Sequence, residues 1–211
     1  RSPLALRQVD EIIGQLKEFY PQIMVEITGI DTYGDRDKIT PISDIEGTDF
    51  FTREIEDALL RGEIDFAVHS AKDLPDEIPD GLCIAAITKS IDSLDALISK
   101  NNLKIDKLEV GAKVGASSQR RKAQLKKYRD DFQLVDIRGK IEERIARLED
   151  EKIDAIVVAS CALMRLGLEK KIAQRIPLDI LTPHPLQGAL AVEVRKDNQE
   201  LRNILEVLNG R

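Results

Sequence analysis

The run Ile153-Asp154-Ala155-Ile156-Val157-Val158-Ala159 decides the fold. It reads as a strand, and its apolar residues do not alternate with polar ones. That is the pattern of a strand in a parallel sheet covered on both faces. Working outward, Gln133–Ile137 and a segment ending at Val114 read as strands. The helix between them is capped by Ser117 or Ser118 and runs to about Arg129. Ile141, Ile145 and Leu148 form a helical stripe before the deciding strand. Alternation of strands with helices predicts α/β architecture.

The first half repeats the scheme. Ser2 and Pro3 are an N-cap and N1 pair. Leu6, Val9, Ile12, Ile13, Leu16 and Phe19 follow at helical spacing. Ile23–Ile27 reads as a strand. Residues 32–48 read as a long polar loop, and a helix follows from about Asp49 to Arg61, stopped by Gly62. Ile64–Val68 and Leu82–Ile87 read as strands. Leu190–Val194 is a late strand, and Leu201–Leu208 a closing helix. The second half runs strand, helix, strand, helix, strand, while the first starts on a helix. The comparison predicts a further strand ahead of Arg1.

Composition narrows the function. Of 211 residues, 42% are hydrophobic and 33% charged, which describes a globular protein. There is no Trp, with three Tyr and five Phe, so a base-stacking platform is disfavoured. No apolar run approaches the length of a membrane span. Two Cys form no disulfide framework, no signal peptide is visible, and a cytoplasmic location is expected. Two His and two Cys show no zinc-site spacing. Residues 113–147 hold eleven Lys or Arg against five Asp or Glu, a net of +6, leaving −12 elsewhere in a chain of net −6. An acidic protein with one basic segment is a poor nucleic-acid binder and a reasonable binder of a small anion.

Three segments carry candidate chemistry, each at a strand end where α/β proteins build sites. Val68-His69-Ser70-Ala71-Lys72-Asp73-Leu74-Pro75 places Lys72 and Asp73 in one loop. His69 has no nucleophile beside it and reads as a packing or hydrogen-bonding residue. Gly115-Ala116-Ser117-Ser118-Gln119-Arg120-Arg121 combines glycine, two hydroxyls and a helix start, an anion-binding terminus. Its two Arg oppose the helix dipole unless an anion binds. Asp136-Ile137-Arg138-Gly139-Lys140, with Arg144 a turn later, repeats the theme. Planar guanidinium forks suit carboxylates, so three such segments suggest a polycarboxylate ligand.

Together with Ser2–Leu6, Met164–Leu168 and Gln187–Leu190, these segments resemble the hydroxymethylbilane synthase (porphobilinogen deaminase) family. The resemblance implies two similar type II periplasmic-binding-protein-like domains with a cleft between them. Domain one would comprise 1–88 plus 187–211, and domain two 89–186. It implies a transferase that joins four porphobilinogen molecules head to tail, with loss of ammonia, on a dipyrromethane cofactor. Asp73 would be the catalytic carboxylate. Lys72, Ser117, Ser118, Arg120, Arg121, Arg138 and Arg144 would bind carboxylates, and Ser2, Ser70, Gly139 and Gln187 would line the cleft. No metal, nucleic acid or membrane partner is implied.

The chain departs from the pattern in places. Arg1 abuts Ser2, where the family has an intervening residue. Thr48 stands where Lys is common, with Asp49 beside it and Arg53 keeping a cation nearby, and Lys140 stands where Asn is common. The family's third domain, which carries the cofactor's cysteine, is expected to be separate or removed. Cys83 and Cys161 both read as buried core thiols, so the 211-residue chain is expected to hold no covalent pyrrole. A non-catalytic module binding tetrapyrroles or other polycarboxylates is the alternative reading. A solute-binding protein is a third.

Overall fold

Apolar side chains in the computed structural model collect on two separate sheets. The structure describes residues 2–37, 48–149 and 153–210. They divide into two compact units, the first of residues 2–37, 48–91 and 188–210, the second of 92–149 and 153–187. Arg1 and residues 38–47, most of the expected polar loop, lie outside the described residues.

The first unit opens with helix α1 (Pro3–Phe19). Ser2 caps it as expected, its hydroxyl accepting from the Ala5 amide at 3.1 Å. The buried positions are Gln8, Ile12 and Leu16, one every four residues, whereas Leu6 and Phe19 at the edges of the expected stripe are exposed. Helix α2 (Tyr33–Arg36) is a single turn within the expected polar loop. A 3₁₀ turn, Asp49–Phe51, precedes helix α3 (Arg53–Leu60). The one helix expected over 49–61 is thus split at Thr52. Gly62, at φ 70°, ends α3, its amide donating to Leu59 and the Glu63 amide to Ala58. Those two bonds form the reversed cap that glycine at positive φ permits.

Strands β1 (Phe66–Ser70) and β2 (Leu82–Ile87) flank a later strand, β8 (Leu190–Arg195), in an antiparallel sheet of order β1-β8-β2. Helix α7 (Gln199–Leu205) follows β8. Ile12 and Leu16 of α1, with Leu205 and Leu208, cover Leu190, Val192 and Val194 on one sheet face. Leu59 of α3 covers Ala67 and Leu82 on the other. Each such side chain contributes roughly 1.5–3 kcal/mol by leaving water.

The expected strand at Ile23–Ile27 does not form. Burial alternates there, with Ile23 and Val25 half-buried and Met24 exposed. The segment joins neither sheet among the described residues. A strand exists only where its amides and carbonyls meet a neighbour's, whatever its side-chain pattern.

The second unit is a five-stranded mixed sheet of order β5-β4-β6-β3-β7. Its members are β3 (Asp95–Ser99), β4 (Lys113–Gly115), β5 (Gln133–Val135), β6 (Ala155–Ala159) and β7 (Gln174–Arg175). Strand β6, the core of the deciding run, is buried throughout. It packs Ala155 and Val157 into one cluster and Ile156 and Val158 into another. The sheet is parallel only on the β4–β5 side; β6 pairs with β3 antiparallel. Helices α4 (Gln119–Tyr128), α5 (Ile141–Ala146) and α6 (Ser160–Arg165) each follow the C-terminal end of one of the three parallel strands. Three helix N-termini therefore gather at one sheet edge. Among the described residues no helix is long and apolar enough to cross a membrane.

Candidate active site

The expected site residues fall into two groups, one in each unit. In the first unit β1 delivers the loop that carries Lys72 and Asp73. Ser70 closes the strand and accepts from the Gln8 amide nitrogen of α1 at 2.8 Å. The Ala71 amide donates to the Ala189 carbonyl at 3.0 Å, pinning the start of the 3₁₀ turn Ala71–Asp73. Ala71 is buried, Lys72 half-buried and Asp73 exposed. The turn thus presents a carboxylate to solvent from a fixed base. Ser2 sits at the N-terminus of α1, the helix whose Gln8 reaches Ser70.

In the second unit the strand ends meet as a frame. The Ser118 hydroxyl accepts from the Arg121 amide at 3.3 Å and caps α4. Ser117 is buried, donates to the Ile137 carbonyl at 2.7 Å, and accepts from Arg144 Nη1 at 2.9 Å. Arg144 Nε donates to the Gly139 carbonyl at 2.7 Å. Ser117, Gly139 and Arg144 therefore brace one strand-to-helix loop against the next. The Lys140 amide donates to Glu143 Oε2 at 3.0 Å, one half of a capping box; a Lys side chain has no acceptor to make the other half.

Gly139 stands at φ 105°, and a Cβ there would meet Glu143 Oε2 at 2.3 Å. Gly139→Ala is expected to cost about 1–3 kcal/mol, since both backbone strain and displacement of the capping carboxylate act together. Urea denaturation measures this, and an unchanged midpoint would show that the loop relaxes freely.

Arg120 and Arg121 are engaged inside the unit. Arg121, 5% exposed, places Nε at 3.0 Å and Nη2 at 2.6 Å from Asp95 Oδ1. Gln187 Nε2 adds a bond to the same oxygen at 2.9 Å, and Arg120 Nη2 takes Oδ2 at 3.0 Å. Arg120 also donates to the Thr182 carbonyl. Burial alone pushes the Asp95 carboxyl up, but Arg121, Gln187 and Arg120 outweigh it and hold the group below the usual carboxylate range. Arg120 keeps 27% of its side chain exposed. Arg138 is half-buried beside Gly139. Reading the sequence gave no role to Asp95. Its partner Arg121 is 26 residues away, and only the fold shows that the two meet.

Of the two cysteines, Cys161 is buried and Cys83 only half-buried, which corrects the expectation that both are core thiols. Cys83 packs at the margin of the α1 face. Thr48 caps the 3₁₀ turn before α3, and Arg53 pairs with Asp49 at 2.6 Å, so the extra acid beside Thr48 is neutralised locally.

The family described as "Porphobilinogen deaminase, dipyromethane cofactor binding domain" matches residues 1–203. A porphobilinogen deaminase of Natranaerobius thermophilus is 48% identical over 210 residues, covering 99% of this chain and 68% of the relative. One from Geotalea daltonii is 44% identical over 208 residues, covering 99% and 65%. The chain thus spans about two-thirds of the length of these relatives. Among solved structures, the methionine-binding protein MetQ superposes with a TM-score of 0.58 at 15% identity, covering 97% of this chain and 84% of that one. A periplasmic substrate-binding protein of an ABC transporter from Coxiella burnetii gives 0.57 at 14%, covering 95% and 88%. Those likenesses establish a fold of the periplasmic-binding-protein type II class. With the motif residues at the strand ends and a match over almost the whole chain, this chain belongs to the porphobilinogen deaminase family.

Proposed function

We propose that the chain forms the cofactor- and substrate-binding part of a transferase. That enzyme polymerises four porphobilinogen molecules into hydroxymethylbilane with release of ammonia. The observation that carries the proposal is the clustering of capped helix starts, hydroxyls and guanidinium groups at the C-terminal edge of the parallel strands. That edge suits the acetate and propionate groups of pyrroles. The same reading takes 1–88 plus 187–211 and 89–186 as the two domains; the compact units, whose limits fall at 91/92 and 187/188, support it. A cytoplasmic location belongs to the same proposal.

The residues present fit a dipyrromethane. The ten-residue helix α4 offers a capped N-terminus, Arg120 retains partial exposure, and Arg138 lies beside the braced Gly139 loop. When bound, the cofactor would supply the free pyrrole position on which the chain grows. Asp73 would stabilise the cationic azafulvene left by loss of ammonia and hold or move pyrrole N–H protons. Lys72 would hold a carboxylate nearby. Arg121 and Gln187, through Asp95, would fix the α4 N-terminus in place.

Calorimetric titration with porphobilinogen or a synthetic dipyrromethane tests the reading. Arg138→Lys and Arg120→Lys keep the charge and lose the planar fork. Each is expected to weaken binding roughly 10- to 100-fold, the worth of a charge-assisted hydrogen bond. Unchanged affinity in both variants would remove these arginines from the site.

A further inference from the structure

Among the described residues, the strand that delivers Asp73 is an edge strand: β1 pairs with β8 and with no other. Its register runs from Phe66 opposite Val194 to Ser70 opposite Leu190. Ala67 and His69 are the buried residues of β1, and Ala67 meets Leu59 of α3. Beyond the strand end, Ala71 packs with Ala189 and Ala191 in one small buried cluster. Alanines fix a register weakly, because a strand that slides by one pleat meets much the same surface.

His69 and Glu193 break that pattern. Glu193 is fully buried and His69 is 7% exposed. Nε2 of His69 lies 3.1 Å from Oε2 of Glu193. The bond runs diagonally, since His69 stands opposite Ala191 and Glu193 opposite Ala67. Only long side chains bridge that diagonal. Glu56 of α3, the other buried carboxylate nearby, bonds with Thr52 at its own helix end. At the start of β1, Arg195 of β8 donates to the Ile64 carbonyl at 2.9 Å. At the end that carries Asp73, the His69–Glu193 bond links the two strands through their side chains. A buried polar pair adds little net stability over apolar residues of the same volume, and its best-attested use is to fix a register.

Asp73 lies four residues beyond His69, across the 3₁₀ turn. We propose that His69 and Glu193 are positioning residues for Asp73: their bond fixes the end of β1 on β8 and so sets where the Asp73 carboxylate stands. This role rests on the function proposed above. The pair acts through the strand, not on the substrate. One pleat of a strand spans about 7 Å, and a misplacement of ~1 Å can lower a rate about 100-fold.

The double variant His69→Leu with Glu193→Leu tests the role, in a form that spans the relatives' full length. Both polar groups leave together, so neither is stranded, and the urea midpoint is expected to hold or rise. For porphobilinogen, kcat is expected to fall roughly 10- to 100-fold with KM unchanged. His69→Gln, whose amide nitrogen can still donate to Glu193, is expected to keep most of the parent's kcat. Hydrogen exchange gives a second readout that needs no turnover. The Ala71 amide, bonded to the Ala189 carbonyl at 3.0 Å, is expected to exchange faster in the double variant while the amides of β2 do not. Parental kcat, or parental protection of Ala71, in the double variant would overturn the proposal. So would His69→Gln as slow as the double variant, because the hydrogen bond would then not be what places Asp73. A parent without turnover would count against the proposed function, and exchange at Ala71 would then decide the register role by itself.

Discussion

Asp73→Asn is expected to lower porphobilinogen turnover by about 10²–10⁴-fold, the range over which a positioned proton-transfer group acts. The urea midpoint is expected to stay where it is. The two halves of this expectation come from one geometric fact. Asp73 is exposed, at the tip of a 3₁₀ turn whose base is held by other residues. Ala71 is tied to Ala189, and Ser70 to Gln8, and neither bond involves the Asp73 side chain. Removing its charge therefore leaves the loop in place, and exposed substitutions of this kind usually shift stability by about 0.5 kcal/mol or less. Asn keeps the shape and one acceptor oxygen but cannot hold a negative charge beside a developing cation. The measurement belongs in a form that spans the relatives' full length, with denaturation run alongside. Turnover within a few-fold of the parent would remove Asp73 from the catalytic role.

The sequence made local features legible because their causes are local. Ser2 caps the helix it was expected to cap, and of the two candidates Ser117 and Ser118 it is Ser118 that caps α4, since a cap is decided within four residues. Strand β2 falls at Leu82–Ile87, where its pattern put it. Strand β6 is buried on both faces, as its unbroken apolar run implied. What failed was pairing. Ile23–Ile27 has the pattern of a strand and no ladder partner among the described residues. Strand β3 was missed because Asp95, its first residue, reads as polar; only the fold brings Arg121 and Gln187 to neutralise it.

The site divides in the same way. Strand ends rich in Ser, Gly and Arg were visible as anion-binding loops. The distinction between an arginine facing a ligand and one facing Asp95 was not, because it depends on a residue 26 positions away. His69 was readable as a packing and hydrogen-bonding residue. Its partner Glu193, 124 positions on, was not.

Asp95→Ala is the substitution expected to damage the second unit most. It would strip the carboxylate from Arg121, a guanidinium only 5% exposed, and leave that buried charge facing the neutral amide oxygen of Gln187 at 3.3 Å. Breaking a buried ion pair from one side costs about 3–5 kcal/mol, a large part of the stability of a typical domain. Replacing both partners, as Asp95→Leu with Arg121→Met, is expected to recover most of that loss, because no buried charge is then left unpaired. Arg120, partly exposed, can turn its charge to water. The pH dependence has a definite sign. The folded-state carboxyl is held below its ordinary value of 3.8, so the pair's contribution is fully present above about that pH. It is lost as the pH falls through the depressed folded value. Urea midpoints of the parent are therefore expected to decline below about pH 4. The double variant is expected to lack that part of the decline. A single variant as stable as the parent, or a double variant no better than the single, would show that Asp95 and Arg121 do not act as a pair.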